Sequence, residues 1–110
     1  MSTKKQGDVG VAEPKTRTKR KTARPRLYKV LLHNDDYTPM EFVVLVLREV
    51  FHKSDADATA IMLHAHTHGM AVAGVYTFEV AETKVQETLA LAGKAGFPLL
   101  CTMEPEDAPQ

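Results

Sequence analysis

Apolar and polar residues recur along this chain with two different periods, and the periods predict which segments are strands and which are helices. From Arg26 to His33 the residues alternate, as they do in a strand that has one buried face. The alternation places Tyr28, Val30 and Leu32 on the same side. We therefore predict a first strand whose core-facing side carries these three residues.

Three later stretches have the apolar spacing of helices. Residues 40–52 are apolar almost all the way round, which predicts a first helix sandwiched between layers. Residues 55–68 predict a second helix with Ser54 as its N-cap, and residues 81–95 predict a third. A glycine follows each of the last two helices, as is common at helix C-termini.

The remaining apolar segments predict strands. Residues 70–80 form one or two short strands in which Gly74 marks a bend or bulge, and residues 98–104 form the last strand. The element order is therefore β-α-α-β-α-β. We predict an α+β fold, in which a mainly antiparallel, three-stranded sheet is covered by three helices.

The junction between the first strand and the first helix concentrates polar groups. Residues 34–36 (Asn-Asp-Asp) favour a turn. Thr38 and Glu41 then form a Thr-x-x-Glu pattern that predicts a capping box, with Pro39 at the first helical position. The junction thus holds an amide, two carboxylates and Met40, either as a recognition loop or as a well-capped turn whose acids only face solvent.

Composition is consistent with one small domain. The chain has 110 residues, of which 44% are hydrophobic, and no apolar run is long enough to span a membrane. The basic N-terminus lacks the apolar segment of a secretory signal. Cys101 is the only cysteine, so no internal disulfide is possible and a cytoplasmic location is expected.

Charge divides the chain into two parts. Residues 1–26 contain 9 Lys or Arg and 2 Asp or Glu, a net charge of +7, so the rest of this neutral chain carries −7. The first part has few large apolar residues to offset the entropy of ordering. We predict a disordered basic extension over residues 1–25, an acidic domain over residues 26–105 and a frayed tail over residues 106–110.

The basic run at residues 15–21 leaves a second function open. Such a cluster can contact phosphates, although it contains no aromatic residue for base stacking. A nucleic-acid-associated protein that acts through this arm is therefore the alternative function. A solvated tail, or one that binds an acidic protein surface, is an equally good interpretation.

Catalysis and metal binding have little support in the sequence. His64 and His68 have a spacing that can hold a metal ion, but no third ligand stands at a motif spacing. Nothing marks the Cys101 thiol as activated, and no nucleophile is paired with a base. We predict no metal, no cofactor and no enzymatic activity, and a zinc hydrolase built on His64 and His68 is the competing hypothesis.

Hydrogen-bond acceptors beside apolar side chains form the remaining candidate site. His66 follows Met62 by one helical turn, which places it at the rim of a possible pocket. Together these groups suit a ligand that carries a positive hydrogen-bond donor next to an apolar group. The predicted acceptors are Asn34, Asp35, Asp36 and His66, and the predicted walls are Met40, Val43 and Met62.

Several separate strings resemble the ClpS family, the bacterial adaptors that deliver N-degron substrates to the ClpA unfoldase of the ClpAP protease. The resemblance covers about residues 26–104, and its N-D-D-x-T-P-M-E string is highly specific. The matching strings are YKV at 28–30, NDDYTPMEFV at 34–43, ML at 62–63 with His66, GVY at 74–76, EVAETK at 79–84 and PLLCT at 98–102.

The resemblance implies the same element order and a set of binding roles. Asn34, Asp36 and His66 would bind the free α-amino group of a substrate whose first residue is Leu, Phe, Tyr or Trp. Glu79 and Lys84 would contact the N-domain of the unfoldase, and the adaptor would act as a monomer without nucleic acid or membrane. The pocket for the first side chain would be lined by Leu32, Asp35, Thr38, Met40, Val43, Met62, Ala65 and Leu99, with Met40 as its gate.

Two positions depart from the family pattern. His33 stands where the family usually has an apolar residue, and it is either close to the ligand or merely exposed. Ala65 replaces a common valine, which predicts a somewhat larger pocket.

Overall fold

The computed structural model describes residues 25–107, and these form the predicted α+β fold with the predicted order of elements. Residues 1–24 and 108–110 lie outside the described part, as does the basic run on which the nucleic-acid alternative depends. The elements are β1 (Leu27–His33), α1 (Met40–Glu49), α2 (Asp55–His68), β2 (Met70–Thr77), α3 (Phe78–Ala95) and β3 (Leu100–Pro105).

The three strands form one antiparallel sheet in the order β2-β1-β3, with β1 in the centre. As predicted, Val30 and Leu32 are buried on one face of β1, and Tyr28 packs at the edge of the same core. That core also contains Val46 from α1 and Ala92 from α3. The helices therefore cover one face of the sheet, and the opposite face carries exposed apolar residues.

The predicted irregularity at Gly74 is a β-bulge. Val30 pairs with Gly74, whereas the next residue of β1, Leu31, pairs with Val72, so Ala73 is the additional residue. A Cβ atom at position 74 would overlap the ring of Tyr76. Glycine is required there because the aromatic ring lies directly against the backbone.

Two element boundaries differ from the prediction because they are set by the two ends of β1 and not by the apolar runs. Thr77 pairs with Leu27 at one end of β1, so the chain beyond Thr77 has no strand to pair with, and α3 begins at Phe78 rather than at residue 81. At the other end, Leu100 pairs with His33, and β3 begins there rather than at residue 98. Strands end where their partner ends, which no local pattern encodes.

Helix α1 is shorter and less enclosed than its apolar pattern predicted. It ends at Glu49 rather than at residue 52, and His52 adopts a left-handed conformation with a φ of 57° that a right-handed helix cannot contain. Leu45 is 40% exposed, so the prediction of a fully sandwiched helix was wrong on that side.

The other predicted helix ends are confirmed. The Ser54 hydroxyl oxygen accepts a hydrogen bond from the N–H of Asp57 at 3.1 Å. Gly69 and Gly96 follow α2 and α3 with φ angles of 89° and 82°, in the left-handed region that favours glycine.

The end of the described chain contacts the start of β1. The N–H of Glu106 donates to the carbonyl of Leu27 at 2.8 Å, and exposed Arg26 and Asp107 form an ion pair at 3.4 Å. The predicted domain limits at residues 26 and 105 remain predictions. Within residues 25–107, no helix combines the length and the hydropathy needed to cross a membrane.

Two glycines near the end of α3 give opposite stability predictions. An alanine Cβ meets no atom within 4 Å at either Gly93 or Gly96, so only the backbone conformation differs. Gly93→Ala should stabilise the fold by roughly 0.5–1 kcal/mol because glycine is unfavourable inside a helix. Gly96→Ala should destabilise it by roughly 1 kcal/mol because its φ is positive. Urea unfolding of both variants measures these changes, and changes of the same sign would contradict the assignment.

Candidate functional site

A cavity of about 240 Å³ opens between the end of β1, the start of α1 and the last turns of α2. The structure brings together all eleven residues that the sequence and the resemblance assigned to the site, and it adds His33 to them. The lining residues are Leu32, His33, Asn34, Asp35, Asp36, Thr38, Met40, Val43, Met62, Ala65, His66 and Leu99.

The cavity has an apolar floor and a polar rim. Leu32, Met62 and Leu99 are buried and form the floor with Ala65. Asn34, Asp36 and His66 are exposed at the mouth, and Met40 is 42% exposed at the start of α1. A ligand can therefore place a polar group at the rim while its apolar part enters the floor.

A backbone hydrogen bond joins the two segments that supply the polar rim. The N–H of Asn34, the first residue after β1, donates to the carbonyl of Gly69 at 2.9 Å. Gly69 ends α2, and His66 lies in the last turn of that helix. The bond thus holds the Asn34 side of the rim next to the His66 side.

The Asp35 carboxylate organises the turn that follows. It accepts hydrogen bonds from the N–H of Tyr37 at 2.8 Å, the N–H of Thr38 at 2.7 Å and the hydroxyl of Thr38 at 2.8 Å. The predicted capping box of Thr38 and Glu41 is therefore wrong. The N-cap of α1 is Pro39, which has no side-chain cap, because the Thr38 hydroxyl donates to Asp35 instead.

Protonation of Asp35 is governed by these bonds. Partial burial acts to raise the pKa of its carboxyl group, but the hydrogen bonds from Thr38 and Tyr37 outweigh burial and lower the pKa below its ordinary value. Asp35 is thus a charged acceptor already satisfied by its own turn. The neighbouring Asp36 carboxylate makes no hydrogen bond to any other residue in the range 25–107, which leaves its oxygens available to a ligand.

The rim can hold a cation that carries several hydrogen-bond donors. A carboxylate from Asp36, an amide oxygen from Asn34 and an imidazole ring nitrogen from His66 are three possible acceptors at one mouth. Hydrogen bonds to a charged group contribute roughly 1.5–3 kcal/mol each. Since a cavity of about 150 Å³ can accept benzene, this one has room for an aromatic or long aliphatic group.

The other histidines lie apart from the cavity. The rings of His64 and His68 stack on the exposed face of α2, with centroids 4.1 Å apart, and His68 Nδ1 lies 3.2 Å from the His64 carbonyl oxygen. No cluster of three or more possible metal ligands occurs in the part of the chain that the structure describes.

The cysteine is also separate from the cavity. Cys101 is buried in β3, and burial raises the pKa of its thiol to about 11, although the nearby Thr88 hydroxyl opposes the shift. The thiol is therefore protonated at neutral pH and is a poor nucleophile. This agrees with the sequence, which marked no activated thiol.

The two residues assigned to partner contact lie on α3, outside the cavity lining. Glu79 is exposed in the first turn. Lys84 is half-buried, and its ammonium group donates to the carbonyl of Val50 at 2.7 Å and lies 5.9 Å from the ring centroid of Tyr76. A cation at the C-terminal end of a helix is stabilising, so Lys84 has a structural partner at the end of α1 that the sequence did not indicate.

Comparison with known proteins relates the whole described domain to one family. The sequence model of the ATP-dependent Clp protease adaptor protein ClpS matches residues 23–102. The adapter protein ClpS of Phenylobacterium zucineum is 57% identical over an alignment of 107 residues. The alignment covers 94% of this chain and 98% of the relative. The adapter protein ClpS of Desulfatibacillum aliphaticivorans is 60% identical over 100 residues, or 91% of each chain.

A solved structure agrees with the fold. It is Agrobacterium tumefaciens ClpS2 bound to L-phenylalaninamide, which is 52% identical to this chain. The match covers 76% of this chain and 100% of the solved one, with a TM-score of 0.73.

The Asp35 turn predicts a pH dependence of stability. Because folding lowers the pKa of Asp35, the stabilisation it provides is complete above the unfolded-state value near 3.8 and is lost as the pH falls through the lower folded-state value. The difference in unfolding free energy between wild type and Asp35→Asn should therefore shrink as the pH falls from about 6 to about 2. Urea unfolding across this range measures the difference.

Substitutions of Thr38 test whether its hydrogen bonds to Asp35 cause the pH dependence of stability. Thr38→Val removes the hydroxyl donor and should weaken the pH dependence, whereas Thr38→Ser should retain it. An equal pH dependence in wild type and Asp35→Asn would contradict the assignment.

Proposed function

This chain belongs to the ClpS family of ATP-dependent Clp protease adaptors, and on that premise we propose that it recognises proteins by their first residue. It binds the free α-amino group and a large hydrophobic first side chain, and it delivers the substrate to the ClpA unfoldase of ClpAP in the cytoplasm. It acts as a monomeric adaptor without catalysis or a cofactor.

The observation that carries the proposal is the combination of a polar rim with an apolar floor. An α-amino group has a pKa of roughly 7.7–8.0, so at neutral pH it is mostly a cation with three donors. Asn34, Asp36 and His66 offer three acceptors at one mouth. An acetylated or internal amide nitrogen has no charge and only one N–H donor, so it leaves acceptors of the rim unpaired and is excluded.

The first side chain passes Met40 and enters the apolar part of the cavity. Burying a Leu or Phe side chain contributes roughly 1.5–3 kcal/mol, which favours Leu, Phe, Tyr and Trp over small or polar residues. Val and Ile branch at Cβ, which would lie beside the Met40 gate, and therefore bind poorly. The bound L-phenylalaninamide of the solved relative supports this orientation, because that compound carries a free amine beside a phenyl ring.

Delivery uses α3. We assign Glu79 and Lys84 as contacts to the N-domain of the unfoldase, as the family resemblance implies, and both lie on α3 outside the cavity lining. Glu79 is exposed and free to pair with a basic partner group. Lys84 has two roles in this proposal, because its ammonium group also holds the end of α1.

Recognition of the amine is tested with a fluorescent peptide that begins with Leu and with its N-acetylated twin. The free peptide should bind at least about tenfold more tightly, because acetylation leaves the acceptors unpaired. Asp36→Ala should weaken binding of the free peptide by about tenfold or more, since it removes a charged hydrogen bond.

The control is Glu82→Gln, which removes an exposed carboxylate of α3 outside the cavity and should leave the Kd unchanged. Fluorescence anisotropy gives all four dissociation constants. Equal affinity for the two peptides would overturn the proposal.

The two roles of Lys84 are separated by measuring stability and partner binding together. Lys84→Met keeps the aliphatic stem but removes the donor to Val50, and it should lower the unfolding free energy by about 1 kcal/mol. Glu79→Ala should weaken binding to the isolated unfoldase N-domain with a smaller change in stability.

Calorimetric titration with the N-domain and thermal unfolding of each variant provide the two readouts. Glu82→Gln is again the matched control on α3. If Lys84→Met is as stable as wild type, Lys84 has no structural role. If Glu79→Ala binds the N-domain as tightly as wild type, Glu79 is not part of the partner surface.

A further inference from the structure

A row of three side chains borders the cavity on the uncovered face of the sheet. The β-sheet register pairs His33 of β1 with Met70 of β2 on one side and with Leu100 of β3 on the other. Directly opposed residues of neighbouring strands point to the same face. We call Met70, His33 and Leu100 the end row, since they are the last cross-strand set at this end of the sheet.

The end row is accessible. Met70 is 36% exposed and Leu100 is 51% exposed, while His33 is half-buried between them. The two large apolar side chains that flank the imidazole ring expose apolar area to water, and a ligand could cover that area.

Each member of the end row adjoins a residue of the cavity or of its frame. His33 lines the cavity itself and precedes Asn34, and Leu100 follows the buried floor residue Leu99. Met70 follows Gly69, the residue whose carbonyl holds the Asn34 backbone. The row is therefore continuous with the polar rim.

The imidazole of His33 is held in place. Its Nε2 atom lies 2.7 Å from the hydroxyl oxygen of Thr102 on β3, in hydrogen-bond contact across the strands. A ring fixed by a cross-strand bond loses little further entropy when another group packs on it. The row is thus a preorganised surface rather than a set of loose side chains.

We propose that the end row contacts the second residue of the substrate and that it favours an aromatic or long aliphatic side chain there. The inference rests on the proposed function, in which the first residue occupies the cavity and the chain must leave across the rim. The L-phenylalaninamide bound by the solved relative consists of one residue only, so it extends no second side chain towards such a row.

Charge around the mouth supports an uncharged or basic second residue over an acidic one. Asp35 and Asp36 lie on the same mouth, whereas the end row has no carboxylate. An acidic second side chain would face two like charges and would gain no partner from Met70 or Leu100.

The test uses peptides that begin with Leu and differ only in the second residue, which is Phe, Ser or Asp. Wild type should bind the Phe peptide about fivefold more tightly than the Ser peptide, as expected for partial burial of one aromatic side chain. The Asp peptide should bind more weakly than the Ser peptide. Fluorescence anisotropy measures each Kd.

Variants of the end row identify the surface that causes the preference. Met70→Ser and Leu100→Ser should each reduce the ratio between the affinities for the Phe and Ser peptides towards one, while affinity for the Ser peptide stays nearly unchanged. The control is Val75→Ser, because Val75 is an exposed apolar residue of the same face but pairs with Lys29, four residues before His33 at the pocket end of β1. It should retain the full ratio.

The outcomes separate this proposal from the function on which it rests. If the free amine is required but the end-row variants keep the wild-type ratio, the end row is not the second-residue surface and the proposed function stands. If N-acetylated and free peptides bind equally, the proposed function itself fails. Leu100→Ser keeps the test valid if Met70→Ser does not fold, because Leu100 is half exposed on an edge strand.

Discussion

The position of the cavity depends on one backbone hydrogen bond, from the N–H of Asn34 to the carbonyl of Gly69. It joins the chain leaving the central strand to the chain leaving α2, two segments 35 residues apart in sequence. Gly69 makes the junction possible because its positive φ is strained for other residues. Through this bond, an amide from one segment and His66 from the other share one mouth.

The two adjacent carboxylates at that mouth have different roles. Asp35 accepts three hydrogen bonds from its own turn and is therefore occupied by the protein, whereas Asp36 faces outward without a partner among residues 25–107. The first fixes the backbone that carries the second. Because these hydrogen bonds order the turn without a ligand, a ligand that binds there would lose no free energy to ordering it.

The sequence by itself determined several features that depend on neighbouring residues, although the local capping box at Thr38 was wrong because the Thr38 hydroxyl donates to Asp35, three residues earlier. Alternation identified Val30 and Leu32 as core positions, and short-range chemistry identified Ser54 as a cap and Gly69 as a helix end. Helical spacing placed His66 and Met62 together beside a possible pocket, and the resemblance assigned His66 its role with Asn34 and Asp36. These predictions succeeded because a helix cap or a strand face is set by residues within a few positions of each other.

Only the tertiary structure decided the features that depend on distant partners. The start of α3 follows from where β1 begins, and the row that includes His33 follows from pairing with two strands remote in sequence. The Lys84 ammonium group likewise reaches a carbonyl 34 residues away. A polar side chain bonds the nearest suitable group in space, and the folded chain alone defines which group that is.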